Sequence, residues 1–170
     1  LRPIQGRQAL WHEIEATVTG AVDYDFLYIL ANDCMASLPP LTFFHDAVVD
    51  ESGAQTAVFR LEHSAAMPLA DVGRVFGMAA KRVMGSSTLQ RFGMARALLP
   101  EDESIFREAA ETMRIVLWQQ GRIGISQSTS GAELPPALLS RYDRQILKSG
   151  FRSILRLLEF TADSKWLKTL

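Results

Sequence analysis

Cysteine is all but absent: Cys34 stands alone in 170 residues, so no internal disulfide can staple the chain and its stability must come from an apolar core. Cys34 sits in an apolar stretch with helical spacing, as suits a small buried hydrophobe in a reduced compartment, and a cytoplasmic location is the expectation. Histidine is scarce as well. His12, His45 and His63 lie far apart, none with a second strong ligand three or four residues away on a convincing helix, so no zinc site is expected. Charge of one sign is missing: eighteen Lys and Arg against nineteen Asp and Glu leave a formal net charge of -1. Such a chain has no global field to hold a phosphate backbone through counterion release, and no nucleic-acid partner is expected. No apolar run reaches the length of a membrane span, and no basic start followed by an apolar middle marks a signal peptide, so no membrane association is expected either. A phosphate-cradling glycine loop and a serine nucleophile elbow are both lacking; Gly121-Arg122-Ile123-Gly124 is too short and follows no strand.

What is present is apolar and periodic. Hydrophobic residues make up 48% of the chain, enough for one sizeable core, and they recur at three- and four-residue steps with little β-branched alternation. The spacing predicts an all-α fold: a compact bundle of six to seven helices, with at most one short β-hairpin near 47–61. Leu10, Trp11, Ile14 and Val18 form the first stripe, interrupted at Gly20. Asp23 is placed to cap a second helix carrying Phe26, Leu27, Ile29, Leu30, Cys34 and Met35 up to Pro39-Pro40, which stop it. Pro68 suits the first turn of a third helix through Leu69, Val72, Val75, Phe76 and Ala79, and Ser86 or Ser87 can cap a fourth through Leu89, Phe92 and Leu98. The acids Glu101, Asp102 and Glu103 complement the positive end of a fifth, whose apolar face runs from Ile105 to Leu117 and which Gly121 is expected to end. Residues 126–133, SQSTSGAE, read as a mobile loop. A last helical region carries Ile146 to Leu158 with Lys148, Arg152 and Arg156 on its solvated side. The faces at 105–117 and 146–158 should pack together at the centre.

Few residues suggest chemistry. Asp23-Tyr24-Asp25 has the alternation of the paired carboxylates that hold magnesium in nucleotide-transferring enzymes, but those pairs stand on a strand, and here they open a helix. Gly73 and Gly77, four apart, read as a place where a neighbouring helix approaches closely, ahead of a ligand contact. The segment SLPPLTFFHD at 37–46 couples two stiff prolines to two phenylalanines. Proline leaves this connector little entropy to lose on folding, and burying each phenylalanine contributes about 1.5–3 kcal/mol. That would fix His45 and Asp46 beside the bundle.

The order of several short motifs carries a family resemblance over nearly the whole chain. Pro39-Pro40-Leu41-Thr42-Phe43-Phe44-His45 resembles a Pro-Pro-Leu-Gly-Phe-Phe-Arg connector, Asp71-Val72-Gly73-Arg74-Val75 an Asp-Leu-Ala-Arg-Val segment, and Ser87-Thr88-Leu89-Gln90-Arg91-Phe92 an Asn-Thr-x-x-Arg-Leu segment. All three belong to the substrate-binding domain that follows the catalytic domain in bacterial signal-transduction nucleotidyltransferases, relatives of the protein-PII uridylyltransferases. The acid-led helix at 101–120 and the stretch from Asp143-Arg144 to Lys148 also fit. Leu1-Arg2-Pro3-Ile4-Gln5-Gly6 is similar to the strand end closing that family's catalytic domain. Residues 1–6 are therefore expected to be the tail of a preceding catalytic domain and 7–170 the helical domain itself.

The resemblance implies an accessory substrate-binding or regulatory domain that packs on a catalytic domain upstream in the same chain. Magnesium and a nucleoside triphosphate are implied for the parent protein and no cofactor for this part, which is expected to be inactive alone. A protein acceptor and a homodimer are further candidate partners. The substrate-binding residues carried over by position are Arg74, Thr88, Arg91 and His45; no catalytic or metal-binding residue is. Departures bear on these. His45 replaces an arginine and Thr42 a glycine. Near Val116-Leu117-Trp118-Gln119-Gln120 an arginine is expected first and only Gln120 is retained. Arg60-Leu61-Glu62 stands where Asp-Leu-Lys is expected, with both charges reversed. If that pair is internal the swap preserves it; if it touches a ligand the contact differs. The other reading is a non-catalytic interaction module that dimerises or relays a signal from sensory domains. A basic cleft at Arg74 and Arg91 favours the first reading and a large apolar surface the second.

Overall fold

Side-chain caps set the helix starts. Asp23 Oδ1 accepts the Phe26 N–H at 2.8 Å, and the Ser87 hydroxyl and Gln90 amide form a reciprocal box at the next cap but one. Ser140 and Asp143 repeat that box, each pairing satisfying donors that a helix end leaves unbonded. In the computed structural model, which describes residues 8–36, 38, 59–82, 87–135 and 138–170, these caps open three of six α-helices. The order is α1 (Gln8–Ala21), α2 (Tyr24–Asp33), β1 (Phe59–Arg60), α3 (Met67–Ala79), α4 (Thr88–Leu98), α5 (Glu103–Gln127), β2 (Glu133–Leu134) and α6 (Arg141–Asp163). A 3₁₀ turn (Cys34–Ala36) extends α2, a π-helical turn (Glu62–Ala66) leads into α3, and a last 3₁₀ turn (Lys165–Thr169) follows α6. The all-α bundle is as the periodicity predicts. The expected catalytic-domain tail at 1–6, the proline-phenylalanine connector with His45, and the 47–58 part of the hairpin region lie outside the described residues.

The two broad apolar faces meet at the centre as expected. Phe106, Ala109 and Val116 of α5 and Phe151, Ile154, Leu157 and Leu158 of α6 are all buried. Gly150 lets the helices close: a Cβ there would stand 3.0 Å from Thr112 Cγ2. Phe76 of α3 completes the core, with its ring 4.7 Å edge-on from Phe106 and 4.6 Å from Trp166. Trp166 reaches in because the chain reverses at Ser164, which takes φ 58, and its indole N–H donates to the Thr161 carbonyl at 3.0 Å. Each such aromatic contributes about 1.5–3 kcal/mol by burial.

Among the described residues there is one two-stranded sheet. Phe59 faces Leu134 and Arg60 faces Glu133 in antiparallel register, so the strand inside the 47–61 window pairs with a distant partner ahead of α6. The inner pair is buried, and Phe59 lies 5.2 Å from the Phe151 ring.

Two local expectations are corrected. Gly121 does not end α5, which runs to Gln127 and stops where Ser128 turns left-handed at φ 54; a glycine in a helix costs only about 1 kcal/mol, too little to break one held along its length by packing. Residues 126–133 are not a mobile loop throughout, since α5 takes the first two and β2 the last. The rest is tied back: Gly131 lies so close to α5 that a Cβ would meet the Gln120 carbonyl oxygen at 2.0 Å, and Ala132 accepts the Glu62 N–H at 3.3 Å. In α1 and α2, Leu10, Ile14, Phe26 and Ile29 are exposed. The buried α2 face is Leu27, Ala31 and Cys34, one stripe at three- and four-residue spacing, and Phe26 and Ile29 stand off it. Among the described residues no helix is long and apolar enough to cross a membrane.

Candidate functional site

Three of the four positions singled out by the sequence meet at the junction of α3 and α4. The glycine pair makes that junction. A Cβ on Gly73 would approach Thr88 Cγ2 to 3.0 Å, and one on Gly77 would approach Arg91 Cδ to 3.0 Å and Cγ to 3.1 Å. Thr88 and Arg91, three apart at the start of α4, therefore lie in the two notches that the missing side chains leave on α3. The close-approach reading of Gly73 and Gly77 holds, and it seats the aliphatic stem of Arg91 on the α3 backbone. The fourth position, His45, is outside the described residues.

Arg74 stands one helical turn beyond Asp71 and forms an ion pair with it, half exposed. Burial raises the pKa of Asp71 above the usual carboxylate value; Arg74 opposes this and Asp33 adds to it. Arg91 is pushed the other way, its pKa lowered by burial and then by the positive charge of Arg74. Cys34, at the end of α2, completes the neighbourhood: burial, then Asp71 and Asp33, push its thiol up to about 12, and it donates to the Leu30 carbonyl at 3.3 Å. The junction thus holds two guanidinium groups within range of one another and two carboxylates, Asp33 and Asp71. Nothing in the sequence pattern singled out Asp33, which is brought in by the packing of α2 on α3.

The junction suits anion recognition, and its one thiol, Cys34, is held protonated by burial. Arginine presents a planar fork to phosphate or carboxylate, and repulsion between Arg74 and Arg91 is relieved by an anion placed between them. Asp71 is the competitor such an anion must displace. Among the described residues no three His, Cys, Asp or Glu gather to hold a metal, and the Asp23 carboxylate accepts the Phe26 N–H as the α2 cap.

A second polar group was missed by sequence reading. Asp143, nearly buried, accepts from the Gln119 amide at 2.9 Å, from the Ser140 hydroxyl at 2.7 Å and backbone N–H at 3.1 Å, and from Arg122 at 3.4 Å. Burial alone would raise its pKa; the Ser140 and Gln119 hydrogen bonds and the Arg122 charge outweigh burial and hold it below the usual value. Arg122 also lies 5.0 Å over the Trp118 ring. The Ser-x-x-Asp spacing at 140–143 was the available signal. This group braces α5 against α6.

Comparison with known proteins identifies one family. The model described as "Putative nucleotidyltransferase substrate binding domain" matches residues 24–164, from the first residue of α2 to the residue after α6, leaving α1 outside the match. No curated protein and no solved structure matches the chain.

Proposed function

The chain belongs to the nucleotidyltransferase substrate-binding-domain family, and from that membership we propose that it is the helical accessory domain of a bacterial signal-transduction nucleotidyltransferase related to the protein-PII uridylyltransferases. It works beside a catalytic domain that supplies the metal-binding carboxylates, in a cytoplasmic protein, and the Cys34 thiol of this domain stays reduced. The observation that carries this reading is the family match over α2 to α6. The placement of Arg74, Thr88 and Arg91 at one helix junction supports it. In this reading the two guanidinium groups grip the phosphates of a nucleoside triphosphate or an acidic group on a protein acceptor, and the Thr88 hydroxyl adds a hydrogen bond. Arg74 exchanges Asp71 for the incoming anion, an exchange eased by the burial that already disfavours the Asp71 carboxylate.

The test is kinetic. Arg74→Ala and Arg91→Ala in the full-length protein should each weaken nucleotide or acceptor use by about 1.5–3 kcal/mol, the range for a hydrogen bond to a charged group, with helix content and melting temperature unchanged. Normal transfer kinetics in a folded double variant would remove both residues from the site.

The exposed apolar residues of α1 and α2 favour a second role for the same domain. Leu10, Tyr24, Phe26, Tyr28 and Ile29 are between 42% and 68% exposed, more large apolar surface than scattered single residues explain. We assign these exposed residues to protein contact, with the catalytic domain or with a second copy. Ile29→Asp should abolish self-association in sedimentation analysis if the partner is a second copy and leave it unchanged if the partner is the catalytic domain.

A further inference from the structure

Beneath the exposed edge of the β1–β2 pair lies a cleft of about 220 Å³ lined by Arg60, Glu62, His63, Met67, Ala132 and Glu133. Its walls are fixed from below. Phe59, Leu61, Ala65 and Leu134 are buried, so alternation along the strand and turn sends Arg60, Glu62, His63 and Glu133 outward. The Glu62 N–H bonds the Ala132 carbonyl at 3.3 Å, pinning the π-helical turn to the loop before β2. Single π-helical turns occur disproportionately at functional sites.

The charges in this cleft face one another without closing into pairs, whereas several other surface charges do pair. Arg114 pairs with Glu111 at 2.6 Å and Arg156 with Glu108 at 3.2 Å, and Arg74 pairs with Asp71. Arg60 and Glu133 are direct cross-strand partners, yet among the described residues neither they nor Glu62 nor His63 forms an ion pair or side-chain hydrogen bond. Two carboxylates repel a phosphate, and a guanidinium on the rim repels a bare cation. A ligand carrying both signs satisfies every wall: a carboxylate on the Arg60 fork and an ammonium group between Glu62 and Glu133. Sites for drug-sized ligands start at roughly 300 Å³, so the occupant is smaller than that. The Met67 thioether offers a soft apolar contact for a short side chain.

We propose that this cleft binds a free α-amino acid with a neutral side chain. The site uses neither Arg74 nor Arg91 and stands or falls apart from the anion site at the α3–α4 junction. Its occupancy would couple β1, α3 and the segment entering β2 through the π-helical turn, giving the domain a small-molecule input.

The experiment is amide NMR titration of the protein with the twenty amino acids one at a time, backed by calorimetry on any that respond. At least one neutral amino acid should give saturable shifts clustered at residues 59–67 and 131–134. Its N-acetyl and carboxamide derivatives, each lacking one charge, should fail to bind. Arg60→Gln and Glu133→Gln should each weaken binding by roughly tenfold or more, a factor equivalent to about 1.4 kcal/mol. The proposal is overturned if no amino acid shifts these amides at about 10 mM, well above a millimolar dissociation constant. Equal binding of the blocked derivatives, or undiminished binding by the folded double variant, overturns it as well.

Discussion

Asp143→Ala is the substitution whose cost can be worked most directly from the structure. The Gln119 side chain is only 1% exposed, and its amide donates at 2.9 Å to Asp143 Oδ1; removing the acceptor strands a buried donor, at about 1–3 kcal/mol. The same change deletes half of the α6 capping box, because the Ser140 N–H and hydroxyl both donate to Asp143 Oδ2, a further cost of about 0.5–1 kcal/mol. Arg122 is 39% exposed by its side chain, so its ion pair adds little. The sum is about 1.5–4 kcal/mol, or roughly 3–16 °C in melting temperature for a domain of this size. Asp143→Asn should cost nearly as much, since its NH₂ group would face the Ser140 N–H and Arg122, donors against donor. Gln119→Leu combined with Asp143→Ala should cost less than the two single changes added together, because the orphaned amide is gone.

The acid limb provides an independent check. The folded pKa of Asp143 is depressed, so its contribution is fully present above the unfolded carboxylate value near 3.9 and is lost as pH falls through the lower folded value. Urea denaturation followed by circular dichroism at neutral pH and between about pH 2 and 5 measures both effects. The protein should lose stability more steeply than Asp143→Asn over that acid window. A loss below about 0.5 kcal/mol for Asp143→Ala, within the ordinary range of surface substitutions, would refute the reasoning, as would equal acid slopes.

Two glycines of the same region should respond with opposite sign. Gly131→Ala puts a Cβ 2.0 Å from the Gln120 carbonyl at a φ of 70 and should destabilise by at least about 2 kcal/mol. Gly121→Ala has no atom within 4 Å of the new methyl and should stabilise by about 0.5–1 kcal/mol through helix propensity; thermal melts decide both. Cys34, its thiol pushed up to about 12, should resist iodoacetamide at pH 8 and label only as the protein unfolds. Rapid stoichiometric labelling of the native protein would show that the site is neither buried nor desolvated.

What could be read from the sequence divides along the range of the interaction involved. Caps are local, and Asp23, Ser87 and the first-turn Pro68 were legible because three or four residues contain the whole interaction. The faces at 105–117 and 146–158 were legible because a long amphipathic stripe has nowhere to go but onto another. Gly73 and Gly77 were legible as a notch, although which residues fill it is a tertiary fact, supplied by α4. The end of α5 was misread at Gly121 because a glycine weighs about 1 kcal/mol against the packing of Ile123 and the hold of the 128–132 segment, neither of which a local window contains. The apolar stripes of α1 and α2 left their burial open for a related reason: periodicity marks which residues share a face and says nothing of which partner covers it. The cleft was the least legible feature of all. It joins Glu62 and His63 to Glu133 through a two-residue strand pair, and no spacing rule connects residues so far apart in sequence. The one trace it left was local, the reversed charges at Arg60 and Glu62. Both side chains line the cleft and do not close on one another, so they are placed where the proposed amino acid would touch them. In the proposed reading these two charges grip opposite ends of the ligand, so exchanging them (Arg60→Glu with Glu62→Arg) should abolish amino-acid binding in the same titration while leaving helix content unchanged.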